Sequence, residues 1–169
     1  MGFLDSLKKG LGFSQEQQSA IILGAPAKGT VLPMEQIPDE AFSQGFLGFC
    51  CGVDPVDGKV YSPIDGKITQ LPDSLHAVGM EVDGMELLIH CGVDTVEMKG
   101  SGFEGAVALD QTVKKGDLLL TMDLDKIRAE GHPTVIIMAV TNSDDFAGAE
   151  LAASGAVEMG ADLIRVTKK

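Results

Sequence analysis

The stretch Leu75-His76-Ala77-Val78-Gly79-Met80-Glu81-Val82-Asp83-Gly84-Met85-Glu86-Leu87-Leu88-Ile89-His90-Cys91 decides how this chain is read. Two apolar runs flank Asp83-Gly84, a pair that favours a tight hairpin because both residues tolerate the left-handed backbone. Each run carries one of the chain's three histidines, His76 and His90. The register of the hairpin decides whether they meet. A two-residue turn pairs Val82 with Met85 and sets His76 across from Cys91, its side chain on the face opposite His90. A three-residue loop, Val82-Asp83-Gly84, sets His76 directly across from His90, with Cβ atoms about 4.5–5.5 Å apart. Gly84 fits the left-handed position that ends such a loop, so the three-residue loop is the expected register. A bulge elsewhere would reach the same result.

Outward from this hairpin the sequence reads as all-β. The runs Ile21–Leu23, Lys67–Leu71, Leu87–Cys91, Leu118–Met122 and Val135–Val140 are separated by Gly, Pro and Asp signals. Two segments have helical character: Asp125–Glu130, and a run through Ala153 that Ser143 would cap. Two echoes run through the text. Ala25-Pro26-Ala27-Lys28-Gly29-Thr30-Val31 matches Ser62-Pro63-Ile64-Asp65-Gly66-Lys67-Ile68, and Val113-Lys114-Lys115-Gly116-Asp117-Leu118 matches Val157-Glu158-Met159-Gly160-Ala161-Asp162-Leu163. A proline followed by two residues, a glycine and then a strand is a turn signal. Together the echoes imply a duplicated β-unit, closed so that few strand edges stay exposed.

Composition bounds the function. The 169 residues hold 13 Lys plus Arg against 25 Asp plus Glu, a net charge of −12. That balance excludes nucleic acid and anionic lipid as partners of the body of the protein and favours a basic protein partner. A hydrophobic content of 44% suffices for a core, but aromatics are only 5% and Trp is absent, so small aliphatics must build it. No apolar run approaches the ~20 residues of a membrane span. Three cysteines with no framework spacing read as small buried hydrophobes in a reducing compartment. Three units follow. Residues 1–13 form an amphipathic tail (Phe3, Leu4, Leu7 and Leu11 at helical spacing), residues 14–19 a polar linker and residues 20–169 the folded domain. With Lys8 and Lys9 as its only cations, residues 2–13 would touch a membrane weakly and reversibly.

Two imidazoles brought together can share a metal, act as acid and base, or pass a phosphoryl group. They are too few for a closed zinc site, although His76 and His90 could share zinc with a partner's carboxylate. A neutral imidazole suits phosphoryl acceptance: its free nitrogen attacks phosphorus in line while the other N–H is held by an acceptor. A second histidine donating to the phosphoryl oxygens would stabilise the group in transfer. Ser74, two residues before His76 on the same strand face, could orient one ring. His132, in Gly131-His132-Pro133, reads as a loop residue.

Gly84-Met85-Glu86-Leu87-Leu88-Ile89-His90-Cys91-Gly92-Val93-Asp94-Thr95-Val96 closely resembles the phosphorylation-site signature of glucose-family IIA domains of the bacterial phosphoenolpyruvate-dependent sugar phosphotransferase system. Ala25-Pro26, Ile37-Pro38-Asp39 with Phe42, Ser62-Pro63-Ile64-Asp65-Gly66, His76-Ala77, Lys99-Gly100 with Gly102-Phe103, and Val113-Lys114-Lys115-Gly116-Asp117 occur in matching order. The likeness runs from about Ile21 to the C-terminus. It implies a β-sandwich of duplicated hybrid motifs with one or two short helices, and a cytoplasmic phosphocarrier without a cofactor, at most peripheral to the membrane. By matching motif, His90 carries the phosphoryl group and His76 stabilises it. Ser74 stands where the family usually has Thr. The implied donor is the phosphohistidine of HPr and the implied acceptor a cysteine of a IIB domain of a sugar permease. Asp39 and Asp94 match acidic positions bordering the site, suited to a basic docking partner. Regulatory binding of transporters or enzymes by the unphosphorylated form is implied as well. The chain departs from the pattern at Gly48-Phe49-Cys50-Cys51-Gly52-Val53, at Cys91 and at Ser74. A rival reading, a biotin or lipoate carrier through Lys99, lacks the second hydrophobic flank after the lysine.

Overall fold

The computed structural model describes residues 19–169. The amphipathic tail and most of the polar linker therefore lie outside the described residues. In chain order the strands begin with β1 (Ala20–Gly24), β2 (Gly29–Leu32), β3 (Phe49–Pro55), β4 (Lys59–Tyr61) and β5 (Gly66–Gln70). They continue with β6 (Ala77–Val82), β7 (Met85–Cys91), β8 (Phe103–Gly105), β9 (Thr112–Val113) and β10 (Leu118–Met122). Last come β11 (Ile136–Val140), β12 (Gly148–Leu151), β13 (Ala156–Val157) and β14 (Asp162–Thr167). The α-helices are α1 (Glu40–Ser43) and α2 (Leu124–Ala129). An eight-stranded sheet, in the order β13-β2-β3-β11-β7-β6-β5-β9, packs with two three-stranded sheets, β1-β14-β12 and β4-β10-β8. All pairings are antiparallel.

The two sequence echoes are realised as a two-fold exchange. Gly29 opens β2 and pairs with Val157 of β13; Gly66 opens β5 and pairs with Val113 of β9. The turns also trade hydrogen bonds: the Tyr61 N–H donates to the Pro26 carbonyl at 2.8 Å, and the Gly24 N–H to the Pro63 carbonyl at 2.9 Å. Likewise Gly160 N–H reaches the Ala25 carbonyl and Gly116 N–H the Ser62 carbonyl, both at 2.9 Å. Each half thus satisfies polar backbone groups that the other would leave buried and unpaired.

Two expectations are overturned. The hairpin β6–β7 closes with a two-residue turn, Val82 opposite Met85 and Ala77 opposite His90. Asp83 (φ 50°) and Gly84 (φ 81°) are both left-handed, the turn whose twist matches the flanking strands best. Asn142 latches it, donating to the Gly84 carbonyl and accepting from the Glu86 N–H, each at 2.8 Å. The helix expected from Ser143 through Ala153 does not form either. Ser143–Asp145 makes one 3-10 turn, and Gly148–Leu151 is strand β12 against β14. Its half-buried Ala149 and Leu151 alternate with exposed Gly148 and Glu150, a strand period. The Ser143 hydroxyl accepts the Phe49 N–H at 3.1 Å instead of capping a helix.

The central strands bury both faces. One face of β7, β11 and β3 (Leu87, Ile89, Cys91, Ile136, Met138, Cys51, Val53) enters the main aliphatic core. The other carries Ile137, Ala139 and Cys50, covered by Ile37 and Phe42 from the segment around α1. His90 lies on this second face.

Candidate phosphotransfer site

His90 is held by its own strand end. Its Nδ1 lies 2.8 Å from the Gly92 carbonyl oxygen. A carbonyl only accepts, so Nδ1 carries the proton and the neutral ring leaves an unshared pair on Nε2. The Phe42 ring packs against it, centroids 5.2 Å apart and tilted by 58°. Burial pushes the His90 pKa below its usual 6.5, opposed by the Gly92 bond and by the nearby carboxylates of Asp39 and Asp94.

His76 reaches His90 although the register does not oppose them. Its ring stands edge-on to that of His90, centroids 5.2 Å apart at 78°. The ladder continues through His76, whose carbonyl accepts the Cys91 N–H at 2.7 Å. His76 itself stands just outside β6, and Leu75 before it has φ 55°, a sparsely populated conformation for a bulky residue that costs ~1–3 kcal/mol. Directly opposite His90 stands Ala77, whose single methyl leaves room beside the imidazole. The Ser74 hydroxyl lies 2.5 Å from His76 Nδ1. Burial, then the neighbouring His90, lowers the His76 pKa.

Asp39 and Asp94 border this pair from separate segments. Asp39 caps α1, accepting the Phe42 N–H at 3.3 Å, so the residue that tunes His90 also orients the helix carrying Phe42. Asp94 is left-handed (φ 61°) and opens the 3-10 turn Thr95–Met98. Exposed apolar side chains lie on both segments, Phe46 (74% exposed) after α1 and Val96 (51%) in the 3-10 turn. The sequence reading missed α1, the Phe42 contact and the Gly92 acceptor. Asp39 ahead of Glu40-Ala41-Phe42 is an N-cap signal that would have found the first two.

The cysteines are free and buried. Cys91 and Cys51 point into the main core, on the face away from His90. Burial drives each of these thiols to about 12. Cys50 lies on the His90 face and donates to the Phe42 carbonyl at 3.4 Å. Burial, then Asp39 and Glu35, raise it to about 11, so at neutral pH it is a thiol rather than a nucleophilic thiolate. Among the described residues no three His, Cys, Asp or Glu cluster to hold a metal; the histidine pair alone supplies two donors. Lys99 sits exposed at the end of the 3-10 turn. His132 lies in the α2–β11 loop, its N–H on the Ile127 carbonyl. No helix among the described residues is long and apolar enough to cross a membrane.

Residues 21–146 match the family described as phosphoenolpyruvate-dependent sugar phosphotransferase system, EIIA 1. The chain is 36% identical over 162 residues to a glucose-specific EIIA component of Bacillus cereus, covering 95% of this chain and 96% of that one. It is 42% identical over 131 residues to a glucose-specific EIICBA component of Staphylococcus saprophyticus, but spans only 19% of its length. The fold superposes on the glucose permease IIA of Mycoplasma capricolum with a TM-score of 0.79 at 29% identity, over 87% of this chain and 96% of that chain. The chain belongs to the EIIA 1 family of the phosphoenolpyruvate-dependent sugar phosphotransferase system.

Proposed function

We propose that His90 accepts a phosphoryl group from the phosphohistidine of HPr and passes it to a cysteine of a IIB domain, for sugar uptake coupled to phosphorylation. The observation that carries this reading is the Nδ1–Gly92 bond, which leaves His90 Nε2 as a fixed, unprotonated nucleophile at neutral pH. Nε2 attacks phosphorus in line, an N–P bond forms to His90, and the donor's P–N bond breaks with its electron pair returning to the donor imidazole. In the second step the IIB thiolate attacks, an S–P bond forms, and the pair returns to Nε2. His76, accepting a hydrogen bond from the Ser74 hydroxyl at Nδ1, keeps its proton on Nε2 and offers that N–H as a hydrogen bond to a phosphoryl oxygen as charge develops. Asp39 and Asp94 supply an acidic rim for a basic partner. No cofactor takes part.

Relatives named as EIICBA and EIIBCA chains support a IIB acceptor. Such a donor and acceptor place the chain in the cytoplasm, meeting its partners transiently. Exposed Phe46 and Val96 beside the acidic positions support a second role, in which the unphosphorylated form binds transporters or enzymes through the same surface.

Reconstitution with phosphoenolpyruvate, Enzyme I and HPr tests the reading, followed by mass spectrometry under alkaline conditions that preserve phosphohistidine. Wild type gains one phosphate, His90→Gln gains none, and His76→Gln accepts but fails to pass it on. Label on His90→Gln would overturn the site.

A further inference from the structure

Thr95 is fully buried, yet the phosphotransfer reading gives it no task. It is the first residue of the 3-10 turn Thr95–Met98 that follows β7, and its hydroxyl donates to the Cys91 carbonyl at 2.5 Å. A threonine that bonds the carbonyl four residues back often does no more than satisfy a buried group. This carbonyl has a particular address. Cys91 stands between His90 and Gly92, the two residues joined by the bond that fixes the tautomer of the nucleophile.

We propose that Thr95 is a positioning residue for His90: its hydroxyl locks the turn that aims the Gly92 carbonyl at Nδ1, and so keeps Nε2 unprotonated. The proposal rests on the reading of His90 as the phosphoryl acceptor. Consecutive peptide planes carry the argument. In the first, the Gly92 N–H donates to the Val135 carbonyl at 2.8 Å and the Cys91 carbonyl takes the Thr95 hydroxyl. In the second, the Val93 N–H donates to the Pro133 carbonyl at 3.2 Å and the Gly92 carbonyl takes the His90 ring. Peptide units are planar, so only the soft backbone angles at Gly92 relate one plane to the other. Gly92 has φ 82°, and glycine visits that region about as readily as the negative one. It supplies no stiffness of its own, so the aim of the second plane depends on how firmly the first is held.

The sheet alone does not hold it. The Cys91 N–H donates to the His76 carbonyl at 2.7 Å, but among the described residues no bond returns from the His76 N–H to the Cys91 carbonyl, as a full antiparallel pair would have. The Thr95 hydroxyl stands in for that bond. Its methyl closes the turn from the same side, since a Cβ on Gly92 would lie 2.5 Å from Thr95 Cγ2. One buried side chain thus completes the hydrogen bonding of the residue that links His90 to its acceptor and also meets the main chain of His76.

The test compares Thr95→Val, which keeps the shape and removes the hydroxyl, with Thr95→Ser, which keeps the hydroxyl. Nitrogen-15 shifts of the His90 ring in the full chain, at about pH 8 where imidazole is neutral, read the tautomer with no phosphoryl donor present. Wild type shows the proton on Nδ1, Thr95→Val shows a mixture of both tautomers, and Thr95→Ser restores the wild-type pattern. A merely structural role would lower the unfolding midpoint and leave the tautomer alone. With phosphoenolpyruvate, Enzyme I and HPr, the rate of acceptance at saturating HPr falls about tenfold in Thr95→Val, the scale of one lost hydrogen bond. The HPr concentration giving half that rate stays unchanged, because Thr95 is buried and meets no partner. An unshifted tautomer in folded Thr95→Val, no rescue by Thr95→Ser, or an unchanged rate beside a shifted tautomer would each overturn the proposal. If Thr95→Val does not fold, wild type decides: a clamped Thr95 hydroxyl proton exchanges slowly enough to be observed, and one exchanging too fast to observe overturns the clamp. If wild type takes no phosphate, the phosphocarrier reading fails by itself, while the tautomer comparison still decides what Thr95 does.

Discussion

At His90 two influences oppose each other. Burial favours the neutral ring, while the Gly92 carbonyl and the carboxylates of Asp39 and Asp94 favour the charged one; burial prevails and the pKa falls below 6.5. His76 shifts the same way. Because the folded chain holds these imidazoles neutral, it binds fewer protons than the unfolded chain just below 6.5. Their contribution to stability is therefore whole above the unfolded value and is lost as pH falls through the folded one. The same sign governs chemistry, since only a neutral His90 offers Nε2. We expect the ring-proton resonances of both histidines to titrate with midpoints under 6.5, and the rate of phosphoryl acceptance to stay flat from pH 8 to 7. The pair is close enough to titrate jointly, so the midpoints belong to the pair. A midpoint above 6.5 would show that the carboxylates, not burial, set the charge.

At the scale of elements, the duplicated turns hold the sheets in place. Gly29 opens β2 in close contact with β3: a Cβ there would lie 2.1 Å from the Asp54 carbonyl oxygen and 2.8 Å from its carbon. Both atoms are backbone and cannot swing aside. Gly29→Ala should therefore cost at least ~1–3 kcal/mol in urea unfolding, by parting β2 from β3. An unchanged midpoint would mean that β2 adjusts freely and that the duplicated turn is not a fixed anchor. The hairpin β6–β7 illustrates the complementary case. Its turn chooses the register, yet the His76 ring, one residue before β6 begins, still meets that of His90.

Across the whole molecule, the eight-stranded sheet separates core from site. Ile89 is fully buried on the core face of β7, one residue before His90 on the other face. Truncation to Ala removes packing on one side of the strand without touching the imidazole. Ile89→Ala should lower stability by ~2–5 kcal/mol, while phosphate still loads onto His90 below the unfolding temperature. A loss under ~1 kcal/mol would place Ile89 outside the tightly packed core. Loss of loading in a still-folded variant would show that core and site are mechanically coupled through β7.

The sequence by itself determined the all-β class, the duplication, the hairpin and the face on which Cys91 lies opposite His90, because these follow from local period and turn chemistry. Motif order likewise pointed to the family that the comparisons confirm. Only the tertiary structure decided the rest. Asp83-Gly84 permits either turn length, and the two-residue form is the one whose twist suits the strands and which Asn142, 58 residues away, can latch. The fate of Ser143–Ala153 depended on β14 offering an edge, a long-range partner that helical propensity does not register. His76 and His90 meet from positions that the register does not oppose, His76 standing one residue before β6 begins; contact between side chains at a strand end is set by long-range packing, which local period does not register.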